Sequence, residues 1–232
     1  MLGMAKSGGR TGPELFRTID LQFGLKCYYQ TTMTSQQIAY PIADKLYLSI
    51  TDRCTLECRF CPKTQGSYEV QGYDLRMAYR PEVDDILQAL PELDQYSEVV
   101  FCGYGEPTLR LKVLLAVAAE LKKRGKLVRL NTDGLGSLVN KRNILPELGE
   151  VIDKVSVSMN AQTEAIYDKH CEPQLPGAYQ AMLDFLTQAP NYIADVTATA
   201  INGLEAVDVN ECRRIAEKLG VKFRQRELDI VG

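Results

Sequence analysis

The chain has 232 residues, 45% of them hydrophobic and 25% charged, with a net charge of −3. That composition describes a globular protein able to bury its own core, and at whole-chain level it gives no electrostatic case for nucleic acid or an anionic membrane as partner. Seven cysteines, three of them within eight positions, make a poor disulfide framework and suit a reducing, cytoplasmic setting and a metal site.

Residues 1–33 mix Gly, Ser, Thr and scattered charges, with one apolar patch at Leu21–Leu25; they are read as an N-terminal extension of uncertain order, with Cys27 as a bystander. There is no apolar run of signal-peptide or membrane-span length, so neither is expected. The regular pattern starts near residue 36, and residues 34–232 are read as one catalytic domain. Gln37–Ile42 and Lys45–Ile50 read as strands about a turn at Ala43-Asp44. Pro81 opens a helix carrying Val83, Ile86, Leu87 and Leu90 at helical spacing, closed by Pro91. Glu98–Phe101 is a short strand. Leu111, Leu114, Leu115 and Ala118 mark the next helix, with Lys122, Lys123 and Arg124 in its last turn and Gly125 as its cap. Leu127–Leu130 is a strand, the stretch from Lys141 to Leu148 a short helix, and Val155–Met159 a strand. Tyr179, Met182, Leu183 and Leu186 share a helical face that stops before Pro190. Val196–Ile201 is a strand. Asp208 and Glu211 resemble a capping box before Cys212, Ile215, Ala216 and Leu219, and Gly220 ends that helix. Phe223–Glu227 is the last strand.

Strand and helix thus alternate about six times, the signature of parallel βα units. The strands read as apolar, as expected where both faces are covered. Six units fall short of the eight of a full barrel, which takes about 250 residues. The fold class expected is α/β: a partial (βα)6 TIM-like barrel with a parallel sheet and a short N-terminal extension. A flavodoxin-like open sheet is the alternative.

The decisive segment is Cys54-Thr-Leu-Glu-Cys58-Arg-Phe-Cys61, in the loop after the strand from Lys45. Three thiolates at this spacing can hold three corners of a cubane cluster. With no fourth cysteine in the loop, one iron stays open, a defect in a structural site and a requirement in a catalytic one. Structural zinc would need four N or S ligands. The single histidine, His170, lies far along the chain in a helical stretch and reads as an ordinary surface or partly buried residue, while Cys102, Cys171 and Cys212 stand isolated. A composite zinc site with Cys102 is the strained option.

Three further segments end strands. Gly103-Tyr104-Gly105-Glu106-Pro107 follows Glu98–Phe101. Its carboxylate and carbonyls suit an ammonium, and its glycines permit close approach; the bland reading is a glycine-rich turn. Asn131-Thr132-Asp133-Gly134 follows Leu127–Leu130, and its bland reading is also a turn. Ser158 and Asn160 end Val155–Met159. Position favours function, because barrel active sites are built at strand C-termini. Arg224 and Arg226 share one face of the last strand, either facing the interior, where they would anchor an anionic group, or as an edge-strand charge set; Arg224 is read as edge and Arg226 is left open. Cys102 reads as a small core residue.

A CxxxCxΦC loop after the first strand of a βα domain resembles the radical S-adenosylmethionine (SAM) superfamily, with Phe60 as its aromatic Φ. The resemblance implies a [4Fe-4S] cluster on Cys54, Cys58 and Cys61 whose open iron chelates SAM. It implies reductive cleavage to a 5′-deoxyadenosyl radical that abstracts hydrogen from a substrate, and a flavodoxin or ferredoxin as electron donor. Gly103, Tyr104, Gly105 and Glu106 resemble the superfamily's GGEP motif, which binds the SAM ammonium, with Tyr104 in place of the first glycine. Asn131 and Asp133 would hold ribose hydroxyls or the SAM carboxylate, and Ser158 and Asn160 match a strand-end motif that touches SAM.

From residue 37 to 228 the sequence resembles the TatD-family-associated radical SAM proteins, on Lys-Leu-Tyr-Leu-Ser-Ile-Thr at 45–51, Val-Val-Phe-Cys-Gly-Tyr-Gly-Glu-Pro-Thr-Leu-Arg at 99–110 and Arg-Leu-Asn-Thr-Asp-Gly-Leu-Gly at 129–136. This implies a functional link to a TatD-type hydrolase and names no substrate. A glycyl-radical-enzyme activase, with the same cysteine spacing, is the runner-up. A non-catalytic zinc-binding interaction module is the alternative of another class.

Overall fold

In a computed structural model the chain forms two compact units, residues 1–35 and 36–232. The structure describes residues 36–228 and, for the backbone alone, 17–20 and 26–29. In the first unit β1 (Arg17–Asp20) and β2 (Lys26–Tyr29) pair antiparallel, Arg17 opposite Tyr29. Cys27 falls in β2, and the apolar patch at 21–25 lies outside the described residues.

The second unit opens with β3 (Ala39–Ile42) and β4 (Lys45–Leu48), antiparallel about a turn where Ala43 has φ +51°. A small hairpin follows, β5 (Glu69–Val70) with β6 (Tyr73–Asp74). Next come α1 (Val83–Gln88), β7 (Glu98–Phe101), α2 (Leu111–Lys123), β8 (Val128–Thr132), α3 (Gly136–Val139), α4 (Leu145–Val151) and β9 (Lys154–Ser158). The chain continues through α5 (Glu164–Cys171), α6 (Ala178–Gln188), β10 (Asp195–Asn202), α7 (Val209–Lys218) and β11 (Lys222–Glu227). The main sheet has the order β11-β10-β9-β8-β7-β4-β3. All pairs from β4 to β11 are parallel.

Each parallel strand therefore lies beside the next parallel strand in sequence. Crossovers of one hand then place their helices on one face of the sheet. This is the order of a partial barrel; a flavodoxin-like sheet reverses its order about a switch point. Among the described residues the barrel is open, with β3 and β11 as its edges.

One-sided cover corrects the expectation of uniformly apolar strands. In β8, Val128 and Leu130 are fully buried, whereas Arg129 and Asn131 turn to the opposite, concave face and line a cavity. In β9, Val155 and Val157 join the core while Ser156 and Ser158 line the cavity. The core lies on the helix side. Leu46, Leu48, Val99, Phe101 and Ala198 pack there with Leu114, Val117 and Leu121 of α2, Leu148 of α4, and Met182 and Phe185 of α6. Each such large side chain contributes about 1.5–3 kcal/mol of burial.

Local signals explain most boundaries. In α1, Glu82 is the N-cap and exchanges hydrogen bonds with Asp85, so the helix starts two residues after Pro81. Gly125 (φ +73°) and Gly220 (φ +72°) follow α2 and α7, where a left-handed residue closes a helix. Asp208 caps α7 by accepting from the Asn210 and Glu211 amides, but the Glu211 carboxylate pairs with Arg214, so only half of the expected capping box forms. The helix expected over 141–148 begins at Leu145, and α3 precedes it.

Candidate functional site

The loops at the C-terminal ends of β4, β7, β8 and β9 converge on a cavity of about 300 Å³. It is lined by Cys54, Cys58, Phe60 and Cys61 from the first loop, by Gly103, Tyr104, Gly105 and Glu106 from the second, and by Asn131, Asp133, Ser158 and Asn160 from the third and fourth. Every residue singled out by motif thus faces one space, although the motifs are up to about a hundred positions apart in sequence.

The cysteine loop is held by its own backbone and by α5. The Cys61 amide donates to the Cys58 carbonyl (3.0 Å), and the Thr64 hydroxyl to the carbonyls of Cys58 (2.6 Å) and Cys61 (2.7 Å). The amides of Glu57 and Arg59 donate to the carbonyls of Cys171 (3.1 Å) and His170 (2.9 Å) at the end of α5. Leu56 bridges to Pro173, and the Gln174 amide donates to the Thr55 carbonyl (3.0 Å). Spare carbonyls at a helix C-terminus need donors, and here the cysteine loop supplies them. His170 is buried, its Nε2 2.7 Å from the Glu205 carbonyl oxygen, so it is part of this support rather than a surface residue.

Cys171 is not isolated, contrary to expectation. It lies beside Cys58, and its Sγ accepts from Nδ2 of Asn160 at 3.6 Å. The neighbouring Cys171 and burial push the Cys58 thiol far up, while burial and the nearby Asp133 push Cys54 up to about 12. The Cys54 and Cys58 thiols therefore stay protonated until a cation draws off their protons. Cys212 packs in the core beneath α7.

The second and third loops lock together through Glu106. Its Oε1 accepts from the Thr108 amide (2.9 Å), the Thr108 hydroxyl (2.6 Å) and the Thr132 hydroxyl (2.8 Å), and its Oε2 accepts from the Asp133 amide (2.8 Å). Asp133 accepts in turn from the Thr55 hydroxyl and from the Leu135 amide (2.8 Å). Glu106 is thus first a brace between loops; each carboxylate oxygen accepts about two hydrogen bonds, and Oε2 takes only one from the described residues. Burial, and then Asp133, raise its pKa to about 8. Burial raises Asp133 as well.

The glycines have a steric reason. A Cβ on Gly105 would lie 2.3 Å from the Thr51 carbonyl oxygen and 2.7 Å from that of Arg53; one on Gly103 would lie 2.4 Å from the Ser49 hydroxyl. Tyr104 needs no such space. Its hydroxyl donates to the Glu69 carbonyl (2.8 Å) and its ring meets Tyr68 edge-on, so it ties the β5–β6 hairpin to the site.

At the end of β9, Asn160 takes φ +58°, a left-handed conformation that Asn tolerates. The Oδ1 atoms of Asn160 and Asn131 are buried without a hydrogen-bond partner among the described residues. Cys102 lines the cavity beside Asn131 instead of sitting in the core. Arg224 and Arg226 also line it: β11 is an edge strand and Arg224 is exposed on it, as read, while alternation sets both arginines on the cavity side. Sequence reading missed Tyr47, Arg129, Ser156 and Thr199, all concave-face residues of the strands. Their signal was period-2 alternation, hidden by the short strands.

The donor set fits an iron–sulfur cluster. Three partly buried thiols on one backbone-braced loop face the cavity, with Cys61 near enough to raise the pKa of Cys54, and both of these near enough to raise that of Cys58. Among the described residues no three Cys, His, Asp or Glu side chains form a ready mononuclear metal site. Unpartnered Asn oxygens and a glycine-lined turn beside the thiols suit a polar ligand with donors.

The family model for the Radical SAM superfamily matches residues 48–222. The chain belongs to the Radical SAM superfamily. Its members are enzymes that use a [4Fe-4S] cluster and SAM. Among sequence relatives, a tungsten-containing aldehyde ferredoxin oxidoreductase cofactor-modifying protein of Pyrococcus furiosus is 34% identical over 117 residues, covering 50% of this chain and 30% of that protein. GTP 3',8-cyclase 2 of Mycobacterium bovis is 28% identical over 172 residues, covering 73% and 42%. A probable dual-specificity RNA methyltransferase RlmN of Rhodococcus erythropolis is 24% identical over 217 residues, covering 86% and 56%. Among solved structures, Streptococcus suis SuiB bound to S-adenosylmethionine superposes with TM-score 0.60 at 12% identity, covering 82% of this chain and 42% of SuiB. This radical SAM chain therefore spans about a third to just over half the length of the curated relatives named. No helix of the described residues is long and apolar enough to cross a membrane.

Proposed function

We propose that this chain is a radical SAM enzyme in which Cys54, Cys58 and Cys61 hold the cluster and the strand-end loops hold SAM. The observation that carries the reading is the meeting of all four motifs in one cavity. When bound, the cluster and SAM supply a one-electron reductive cleavage that yields a 5′-deoxyadenosyl radical, which takes a hydrogen atom from substrate.

The chain's own part is to bind and align. Backbone carbonyls of the 103–105 turn and the spare site of Glu106 Oε2 face an ammonium. The buried Oδ1 atoms of Asn131 and Asn160 accept from ribose hydroxyls or amino groups, and Ser158 adds a hydroxyl. Lys63 spans the cysteine and Tyr104 loops, donating to the carbonyls of Asp52 and, at 3.5 Å, Tyr104. Iron–sulfur potentials run from about −700 to +450 mV; sulfonium reduction needs the negative end, hence a flavodoxin or ferredoxin donor. A link to a TatD-type hydrolase belongs to the same reading and is supported by the sequence resemblance alone. No observation favours the activase or the zinc module.

The test is anaerobic reconstitution with iron and sulfide, then dithionite reduction with SAM and assay for 5′-deoxyadenosine and methionine. Both products are expected, and neither from Cys58→Ala. Stoichiometric zinc without cluster uptake would overturn the reading.

A further inference from the structure

The half of the cavity away from the cysteines has a charge signature of its own, and its interpretation rests on the radical SAM reading of the site. On the concave face Glu98 of β7 is a buried carboxylate ringed by three cations. Arg129 lies 2.7 Å away, Lys154 3.1 Å and Lys45 3.8 Å. Lys45 also has Asp44 at 3.9 Å, so two carboxylates face three cations, and the Nε of Arg129 is buried with no hydrogen-bond partner among the described residues.

Two more guanidiniums meet this group from the opposite edge. Arg224 and Arg226 of β11 line the same cavity, and among the described residues neither makes a hydrogen bond or an ion pair. Burial and the repulsion of Arg226 and Arg129 hold the Arg224 guanidinium below its usual pKa. Arg129, tied to Glu98 through Nη2 but with its Nε unpartnered, thus shares the cavity with two arginines that have no carboxylate of their own among the described residues. Glu227 lines the cavity as well, but its carboxylate accepts from Asn202 (2.8 Å) and Gln225 (2.6 Å). Arg129 sits two residues before Asn131 on one strand face, about 7 Å along the strand. The arginines therefore lie a small molecule's length from the proposed SAM contacts.

We infer that Arg129, Arg224 and Arg226 form the substrate-anchoring subsite, and that the substrate is a small phosphate-bearing molecule whose phosphate they hold. Guanidinium forks match phosphate oxygens bidentately. A phosphate monoester brings about two charges and three oxygens to three forks, whereas a monocarboxylate brings one charge and two oxygens. Hydroxyls of Ser156 and Thr199 line the wall between the arginines and Ser158 and complete a polar path for the rest of the substrate.

The experiment is calorimetric titration of inorganic pyrophosphate and, separately, succinate at constant ionic strength, into the full chain before and after cluster reconstitution with SAM. Saturable pyrophosphate binding is expected, tighter than succinate. It should weaken at least about tenfold in Arg226→Gln and in Arg224→Gln, the effect of losing one charge-assisted contact, and recover in part in Arg226→Lys. Arg142→Gln, which removes a surface pair with Glu147, is the control and should bind as the wild type does. Circular dichroism on each variant separates misfolding from lost contact. Three results would each overturn the inference: no saturable pyrophosphate binding, tighter succinate binding, or wild-type affinity in folded Arg→Gln variants. Wild-type protein that binds pyrophosphate through these arginines yet forms no 5′-deoxyadenosine would keep the anion site and remove the radical SAM reading.

Discussion

Glu106 shows how a motif residue can be recognised by type and misjudged in orientation. A carboxylate in a glycine turn is easily seen in sequence; that Thr132 and the Asp133 amide join the nearby Thr108 in consuming it is not, because those two donors come from a loop some 26 positions away. Its raised pKa fixes a sign. An acid whose folded pKa lies above its unfolded value stabilises the fold fully below the unfolded value, and that stability is lost as pH rises through the folded value. For Glu106 the window runs from about 4.5 to about 8. Glu106→Gln does not titrate, so its stability deficit relative to wild type should shrink between pH 5 and 8 in urea unfolding of the cluster-free protein. A deficit independent of pH would mean that Glu106 is already ionised. Gly105 gives a steric counterpart. Gly105→Ala sets a methyl against two backbone carbonyls that cannot swing aside, and overpacking of this kind costs about 1–3 kcal/mol. Gly66→Ala, with nothing within 4 Å but φ +84°, should cost only its backbone strain, about 1 kcal/mol. Thermal melts of the two variants decide whether close approach or conformation sets the glycine requirement.

At the scale of elements, the cysteine loop is a graft onto the end of α5. The loop's spacing announced its chemistry, but its dependence on residues 170–174 was invisible, since nothing in the α5 sequence marks it as a dock. Asn160 donates to the Cys171 sulfur, and the Cys171 carbonyl accepts from the Glu57 amide, so Cys171 links the end of β9 to the cluster loop. Cys171→Ala should keep the fold and lower iron and sulfide retained after gel filtration to a fraction of wild type, short of the complete loss expected for Cys58→Ala. Unchanged retention would make α5 a passive neighbour. The β5–β6 hairpin was likewise missed, because strands of two residues show no periodicity. Its attachment explains the departure at Tyr104, where the side chain bonds Glu69 and packs with Val70, Leu75 and Tyr40 in a satellite cluster. Tyr104→Gly restores the commoner motif and should speed amide exchange in residues 69–74 while leaving that of β8 and β9 unchanged; exchange spread evenly over the sheet would contradict a local tether.

For the molecule as a whole, six sequential parallel strands with helical crossovers between them were legible because the main helices carry a 3.6-residue stripe and punctuating Gly or Pro. The chemistry of the concave face was not. Net charge −3 is a sum over surfaces, and it conceals a concave face where Arg129, Lys45 and Lys154 gather around Glu98 and where Arg224 and Arg226 line the same cavity as Arg129. Period-2 alternation in strands of four to eight residues gives each face only two to four side chains, too few to reveal a polar face without neighbours. Glu98 is the charge on which that face depends. Removing one partner of a buried ion cluster costs about 3–5 kcal/mol. The cations here keep part of their hydration, with Lys45 34%, Arg129 19% and Lys154 32% exposed, so Glu98→Gln should cost less, about 2–3 kcal/mol. Urea unfolding at constant ionic strength measures the loss. Because the variant leaves more positive charge in the cavity, added sulfate should restore more of its stability than chloride does, and more than it adds to wild type. A loss below about 1 kcal/mol with no anion preference would place these cations among ordinary solvated surface charges, and the polar face would then owe its shape to hydrogen bonding alone.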